Sequence, residues 1–190
     1  MDLSGLFIPN TDLSGLNLTG ADLSGSYLYK CNLRNTNLES AKLTSTDLSH
    51  CDLTGANVKH ANLADVDLSS TIAVGAQFNH ANLRGAILRR SIFMDCRFDN
   101  ANMEHTICNS AVFSASIFYQ TKMGNLVARC ATFNNSKLHA AIDVPSLIQA
   151  ACNIIPDGDV IGWKKCRYSK IADSSPRSTI ECNRTQMSSV

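Results

Sequence analysis

The sequence predicts an all-β solenoid, a four-sided coil whose every side is five residues long. Three observations predict it. Large apolar residues recur every five positions, small residues stand two places before them, and residues that tolerate positive φ stand two places after them. A helix would need a 3.6-residue period and a simple strand a period of two, so a strict five fits neither.

The large positions run from Leu3, Ile8, Leu13 and Leu18 through Leu63 and Leu68 to Phe78, Phe93, Phe98, Phe113, Phe118, Phe133 and Leu138, with Ala73 and Ala128 as the weak members. The small positions include Ala21, Cys31, Ala41, Cys51, Ala56 and Ala61. Large and small side chains therefore alternate toward one interior. The turn slot holds Gly5, Gly15, Gly25, Gly55 and Gly85, with Asn10, Asn35, His60, Asp65, His80 and Asn100 in equivalent places. Gly, Asn, Asp and His all enter the left-handed region, so each pentapeptide reads as a short side closed by a tight turn.

Residues stacked in a solenoid share character at the coil period. Steps of twenty align Ala21, Ala41, Ala61, Ala81 and Ala101, and align Phe78 with Phe98 and Phe118, Phe93 with Phe113 and Phe133, and Cys31 with Cys51. The coil therefore has four sides. About seven coils at strand spacing make a rod of roughly 34 Å.

The segments Ala21-Asp22-Leu23-Ser24-Gly25, Ala61-Asn62-Leu63 and Ala81-Asn82-Leu83-Arg84-Gly85 resemble the A(D/N)LxG consensus of the pentapeptide-repeat family. The resemblance covers residues 1 to about 142. It implies a right-handed quadrilateral β-helix, about seven coils of four pentapeptides, and no catalytic residues, because the family shares no active site.

The register predicts a β-helix over 1–143. A short capping helix is expected over 144–155: Asp143 suits the cap, Pro145 the first turn, and Pro156 comes just after the end. Leu147, Ile148 and Ala151 would share the face that closes the solenoid. Residues 156–190 form an extension, a partial β module followed by a polar, turn-rich end expected to be disordered. Its stretch from Ile155 to Arg167 resembles the start of a small module found after pentapeptide repeats in many bacteriophage proteins.

Composition restricts function. The 190 residues are 44% apolar and carry a net charge of +1, so the totals favour neither a polyanion binder nor an overall DNA mimic. The N-terminal residues lack the basic and apolar regions of a signal or membrane segment, which points to a soluble cytoplasmic protein, and the resemblance of the tail to bacteriophage proteins implies a bacterial or phage-infected host cell. The eight cysteines are scattered, and in such a compartment most are expected as free thiols.

No set of residues points to catalysis, a cofactor or a small-molecule substrate. Asp157, Asp159 and Gly162 fit three positions of a calcium loop, but Ile161 and Tyr168 occupy ligand positions. His60 and His80 should stack one coil apart without a third metal ligand. Cys152, Cys166 and Cys182 lack the paired spacing of a zinc site. Lys164, Lys165, Arg167 and Lys170 read as a solvated tail rather than a nucleic-acid site.

Binding is the remaining class. Beyond residue 70 the outward slot turns apolar, with Ile72, Ile92 and Val112 in one column and Ile87, Ile107 and Val127 in the next. This candidate interaction stripe needs a cover, supplied by a protein partner, by self-association or by the chain's own tail. A candidate basic ridge comprises Arg84, Arg89, Arg90, Arg97 and Arg129. The leading reading is a protein-interaction scaffold of unknown partner. The alternative, taken from relatives that protect type II topoisomerases by imitating DNA, needs an acidic face, for which Asp2, Asp12, Asp22, Asp47, Asp52 and Asp67 are the candidates. Residues 1–143 hold 12 acidic against 11 basic residues, so any such acidity is local.

Overall fold

A computed structural model describes residues 1–138 and 140–142. The expected capping helix at 144–155 and the extension at 156–190 lie outside the described residues.

Every side pairs with the side twenty residues on, in parallel, from Asp2 with Asp22 to Lys122 with Ile142. The backbone pattern is the same at each level. The amide of the large central residue donates to the coil ahead, as Leu3 N does to Asp22 O at 2.7 Å, and so does the turn residue, as Gly5 N does to Ser24 O at 2.9 Å. The amide of the outward residue donates to the coil behind, as Asp22 N does to Met1 O at 2.9 Å. Parallel pairing thus satisfies the backbone level by level.

Corners are closed by a bond from the next side's first amide to the central carbonyl, as from Ala21 N to Leu18 O at 3.0 Å. The residue before that amide has positive φ at every corner from Gly5 to Ala140. Glycine is needed least where a polar side chain tolerates the region, but Lys30, Arg90, Ala115, Gln120 and Cys130 also adopt it, with φ between 53° and 61°. Pairing on both flanks holds these residues where their own preference would not.

The interior is filled as the spacing predicts, with the central residues from Leu23 to Leu138 at 2% exposure or less. Phe78, Phe98 and Phe118 stack at 5.0 Å between successive centroids, and Phe93, Phe113 and Phe133 at 5.4 and 4.9 Å. The two columns meet edge to face, as Phe98 does with Phe113 at 5.9 Å. Offset stacking along the axis and edge contacts across it are the favoured arrangements of aromatic rings.

The small inward slot is more polar than its alanines suggest. Ser26, Thr36, Thr46, Thr71, Thr106, Ser116, Thr121 and Ser136 each donate to the central carbonyl of the coil behind, over distances from 2.6 to 3.0 Å. Cys31 and Cys51 do the same toward Ile8 and Leu28, both at 3.0 Å. Those thiols are therefore members of a hydrogen-bonded ladder as well as buried apolar groups. Ser91 departs from the pattern and donates to Leu88 of its own turn.

Candidate interaction surface

Among the described residues, the four outward columns and the corners between them face away from the interior, and each is set by position modulo twenty. The first side carries Asp2, Asp22, Lys42 and Asn62; the second Phe7, Tyr27, Asp47 and Asp67, then Ile87, Ile107 and Val127. The third carries Asp12, Asn32 and Asp52, then Ile72, Ile92 and Val112; the fourth carries Asn17, Asn37, Asn57, Gln77 and Arg97.

The two aliphatic columns therefore stand on adjacent sides, as their spacing predicts. Ile72 and Val127 are 42% and 39% exposed, and the four residues between them are half-buried. Between the columns runs the corner of the second and third sides. Its residues are Ser69, Ser70, Arg89, Arg90, Asn109, Ser110, Arg129 and Cys130, with Lys30 and His50 lower on the same corner. No carboxylate stands on this corner at any level from Pro9 to Cys130.

The proposed basic ridge is divided by the structure. Arg89, Arg90 and Arg129 share the corner of the second and third sides, whereas Arg84 belongs to the first corner and Arg97 to the fourth side. Arg97 is engaged with Asp99, its guanidinium lying 2.8 Å from the carboxylate. Among the described residues, the ion pairs are Arg34 with Asp52, Lys42 with Asp22, and Arg97 with Asp99, so the three corner arginines are left facing solvent.

The acidic candidates are likewise spread over three sides: Asp2 and Asp22 on the first, Asp47 and Asp67 on the second, Asp12 and Asp52 on the third. Each accepts the amide two residues on, as Asp47 does from Ser49 at 2.8 Å and Asp67 from Ser69 at 2.8 Å. Asp2, Asp12, Asp22 and Asp52 bond Ser4, Ser14, Ser24 and Thr54 in the same way. These are Asx turns, and their first duty is to close the corner.

The carboxyl groups record that duty. Bonds from the Ser24 hydroxyl and amide, joined by Lys42, bring Asp22 down to about 2, and the Ser4 and Ser14 amides lower Asp2 and Asp12. Burial pushes Asp52 up, but Thr54 and Arg34 outweigh it and leave it below the ordinary carboxylate value.

Sequence reasoning missed an aromatic group at the foot of the second side. Phe7, 70% exposed, stacks on Tyr27 at 4.9 Å; Tyr27 meets Tyr29 at 6.0 Å, and Tyr29 meets His50 edge-on at 5.3 Å. Lys30 Nζ lies 5.1 Å from the Tyr29 ring centre. The signal was available, since Phe7 and Tyr27 are twenty apart in the outward slot.

His60 and His80 stack at 4.8 Å, one coil apart as predicted. Among the described residues no group of three or more His, Cys, Asp or Glu side chains is arranged to hold a metal. The described cysteines are free thiols. Burial pushes Cys51, Cys96 and Cys108 up to about 12, while Cys130 is exposed on the corner. No helix among the described residues is long and apolar enough to cross a membrane.

A coil of four pentapeptide sides with parallel pairing at every twentieth residue, filled by a stacked apolar interior, defines a right-handed quadrilateral β-helix. The chain belongs to the pentapeptide repeat family, whose profile matches in eight copies, among them residues 2–35, 23–59, 31–69, 51–90, 61–98, 74–107 and 91–125. No curated protein sequence matches significantly. Among solved structures the chain is similar to QnrB1, a plasmid-mediated fluoroquinolone resistance protein, at 18% identity over 71% of this chain and 70% of that one, with a TM-score of 0.49. It is similar to Rfr23 of the cyanobacterium Cyanothece 51142 at 24% identity, over 71% and 86%, with a TM-score of 0.36. HetL, a protein of the cyanobacterium Nostoc involved in heterocyst differentiation regulation, matches at 20% identity over 84% and 91%, with a TM-score of 0.30.

Proposed function

We propose that this protein is a non-catalytic binding scaffold that presents the corner between its second and third sides to a protein partner. One observation carries the reading: two aliphatic columns flank a corner bearing Arg89, Arg90 and Arg129, with no carboxylate on that corner. Apolar area beside unpaired guanidinium groups suits a surface that offers aliphatic side chains and carboxylates together.

The topoisomerase reading would instead use the carboxylates of the lower coils. Their division over three sides and their engagement in Asx turns favour the corner. One experiment separates the two. The full chain and an Ile87→Ser, Ile92→Ser, Ile107→Ser variant are used to capture proteins from a bacterial lysate, and self-association is measured in parallel by sedimentation. Partners or self-association lost with the isoleucines support the corner. Topoisomerase subunits retained by both chains support DNA mimicry, and identical behaviour of the two chains in both assays removes the corner from the mechanism.

A further inference from the structure

The second side carries two unlike halves, and each is complementary to the other. From its first level to its seventh the outward column reads Phe7, Tyr27, Asp47, Asp67, Ile87, Ile107 and Val127, each paired with the next in the ladder. The lower end is aromatic, with Phe7 exposed and stacked on Tyr27, and Tyr29 beside them. Two carboxylates follow, and above them stand the aliphatic residues with Arg89, Arg90 and Arg129 at their corner. The Asx turns of Asp47 and Asp67 engage Oδ1, which leaves Oδ2 of each to meet a cation.

Ends that match each other in this way are satisfied by a second copy turned upside down. A two-fold axis lying across the face at the level of Asp67 sets the seven levels against one another in reverse order. Val127 and Ile107 of one copy then meet Phe7 and Tyr27 of the other, and the level of Ile87, Arg89 and Arg90 meets that of Asp47. Each copy brings two carboxylates, Asp47 and Asp67, and two guanidinium groups, Arg89 and Arg90, to the three central levels, with His50 on the corner beside them. Asp67 faces its own counterpart across the axis and has an Arg89 one level away in each copy. A parallel pairing would instead put Asp47 level with Asp47 and Arg89 level with Arg89, and opposed like charges are costly.

We propose that two copies associate side by side and antiparallel through their second sides, aromatic foot against aliphatic head. This rests on the reading of the corner as a binding surface and names its partner, a second copy of this chain. Seven levels at strand spacing make the face roughly 29 Å long, and five extended residues make it ~16 Å wide. That is on the order of 500 Å² per copy, at the low end for specific interfaces, so the dimer is reversible and fills with concentration.

The test sediments the full chain over a concentration series and places a photo-crosslinking amino acid at Ile107, in an equal mixture of unlabelled and nitrogen-15-labelled protein. The expected results are a monomer–dimer equilibrium and links between light and heavy copies that run from Ile107 to Phe7, Tyr27 or Tyr29. Asp47→Arg with Asp67→Arg, and separately Arg89→Asp with Arg90→Asp, should each weaken the dimer about tenfold, on the scale of a few exposed ion pairs. An equal mixture of those two variants should form it again, because each position reversed in one faces a position reversed in the other, an outcome that misfolding would not produce. A monomer at every concentration, links from Ile107 to its own level in the other copy, or a mixture no better than its parts would overturn the proposal. If lysate capture still depends on the isoleucines in that case, the corner serves a different protein and only the pairing of copies falls; if capture is also indifferent, both readings fall.

Discussion

The coils below about residue 70 and those above it share one backbone and stabilise it differently. Below, the centres are leucine, Asp or Asn in the outward slot closes the turn, and glycine serves many corners. Above, phenylalanine fills the axis, the second and third sides carry Ile and Val outward, and no turn slot after Gly85 holds glycine. The upper corners of those two sides lack the Asx bond. Only an occasional substitute appears, such as Asn109 Oδ1 accepting from Arg129 N at 2.9 Å. Local turn closure and axial aromatic packing are thus interchangeable supports, and the columns relieved of turn closure are the ones given to the aliphatic surface.

The largest expected effect sharpens this contrast in the core. Phe98 contacts Phe78, Phe93, Phe113 and Phe118, so Phe98→Ala should cost about 4 kcal/mol in urea unfolding, against about 3 kcal/mol for Leu43→Ala. Equal costs would mean that the aromatic contacts contribute nothing beyond volume.

Next comes the inward hydroxyl ladder. Ser116 Oγ donates to Phe93 O at 2.6 Å and accepts Cys96 N at 2.9 Å, whereas Thr46 Oγ1 donates to Leu23 O at 2.8 Å. Ser116→Ala should cost about 2 kcal/mol, since it orphans a buried amide, and Thr46→Val about 1 kcal/mol. The same denaturation series measures both.

Turn chemistry should give smaller changes of opposite sign. Asp47→Ala removes the bonds to the Ser49 amide and hydroxyl and should destabilise by about 1 kcal/mol, with Asp47→Asn close to wild type. Ala115→Gly should stabilise by roughly 0.5–1 kcal/mol, because Ala115 is held at φ 61°. Loss of stability on adding this glycine would break the account of the upper corners.

The smallest effect concerns acid. The Asp22 carboxyl is lowered from 3.8 to about 2, so its contribution is present above pH 3.8 and fades as pH falls toward 2. Asp22→Asn should therefore be slightly less stable than wild type near neutrality, where it lacks the carboxylate and its Lys42 partner, and should converge with wild type in the acid limb of a pH–stability profile.

The repeat, the interior and the turn slots were legible because each is repeated at every level, and a single period exposes them. The inward ladder was not, since it joins a side chain to a carbonyl twenty-three residues away across a coil boundary. The basic ridge misled for a related reason. Arg84, Arg89, Arg90 and Arg97 are close along the chain, and only their places modulo twenty assign them to three different parts of the perimeter. The Asx role of Asp47 and Asp67 was hidden because a carboxylate in an outward slot reads first as surface charge.

The twenty-residue pairing also makes this molecule a ruler. Removing one full coil, such as residues 41–60, would give every broken bond an equivalent acceptor from the next level, because Leu23 N would meet Asn62 O in place of Lys42 O. The separation between the aromatic foot at Phe7 and the aliphatic corner is therefore graduated in steps of ~4.8 Å. Evolution can lengthen or shorten that gap one division at a time, without redesigning either mark.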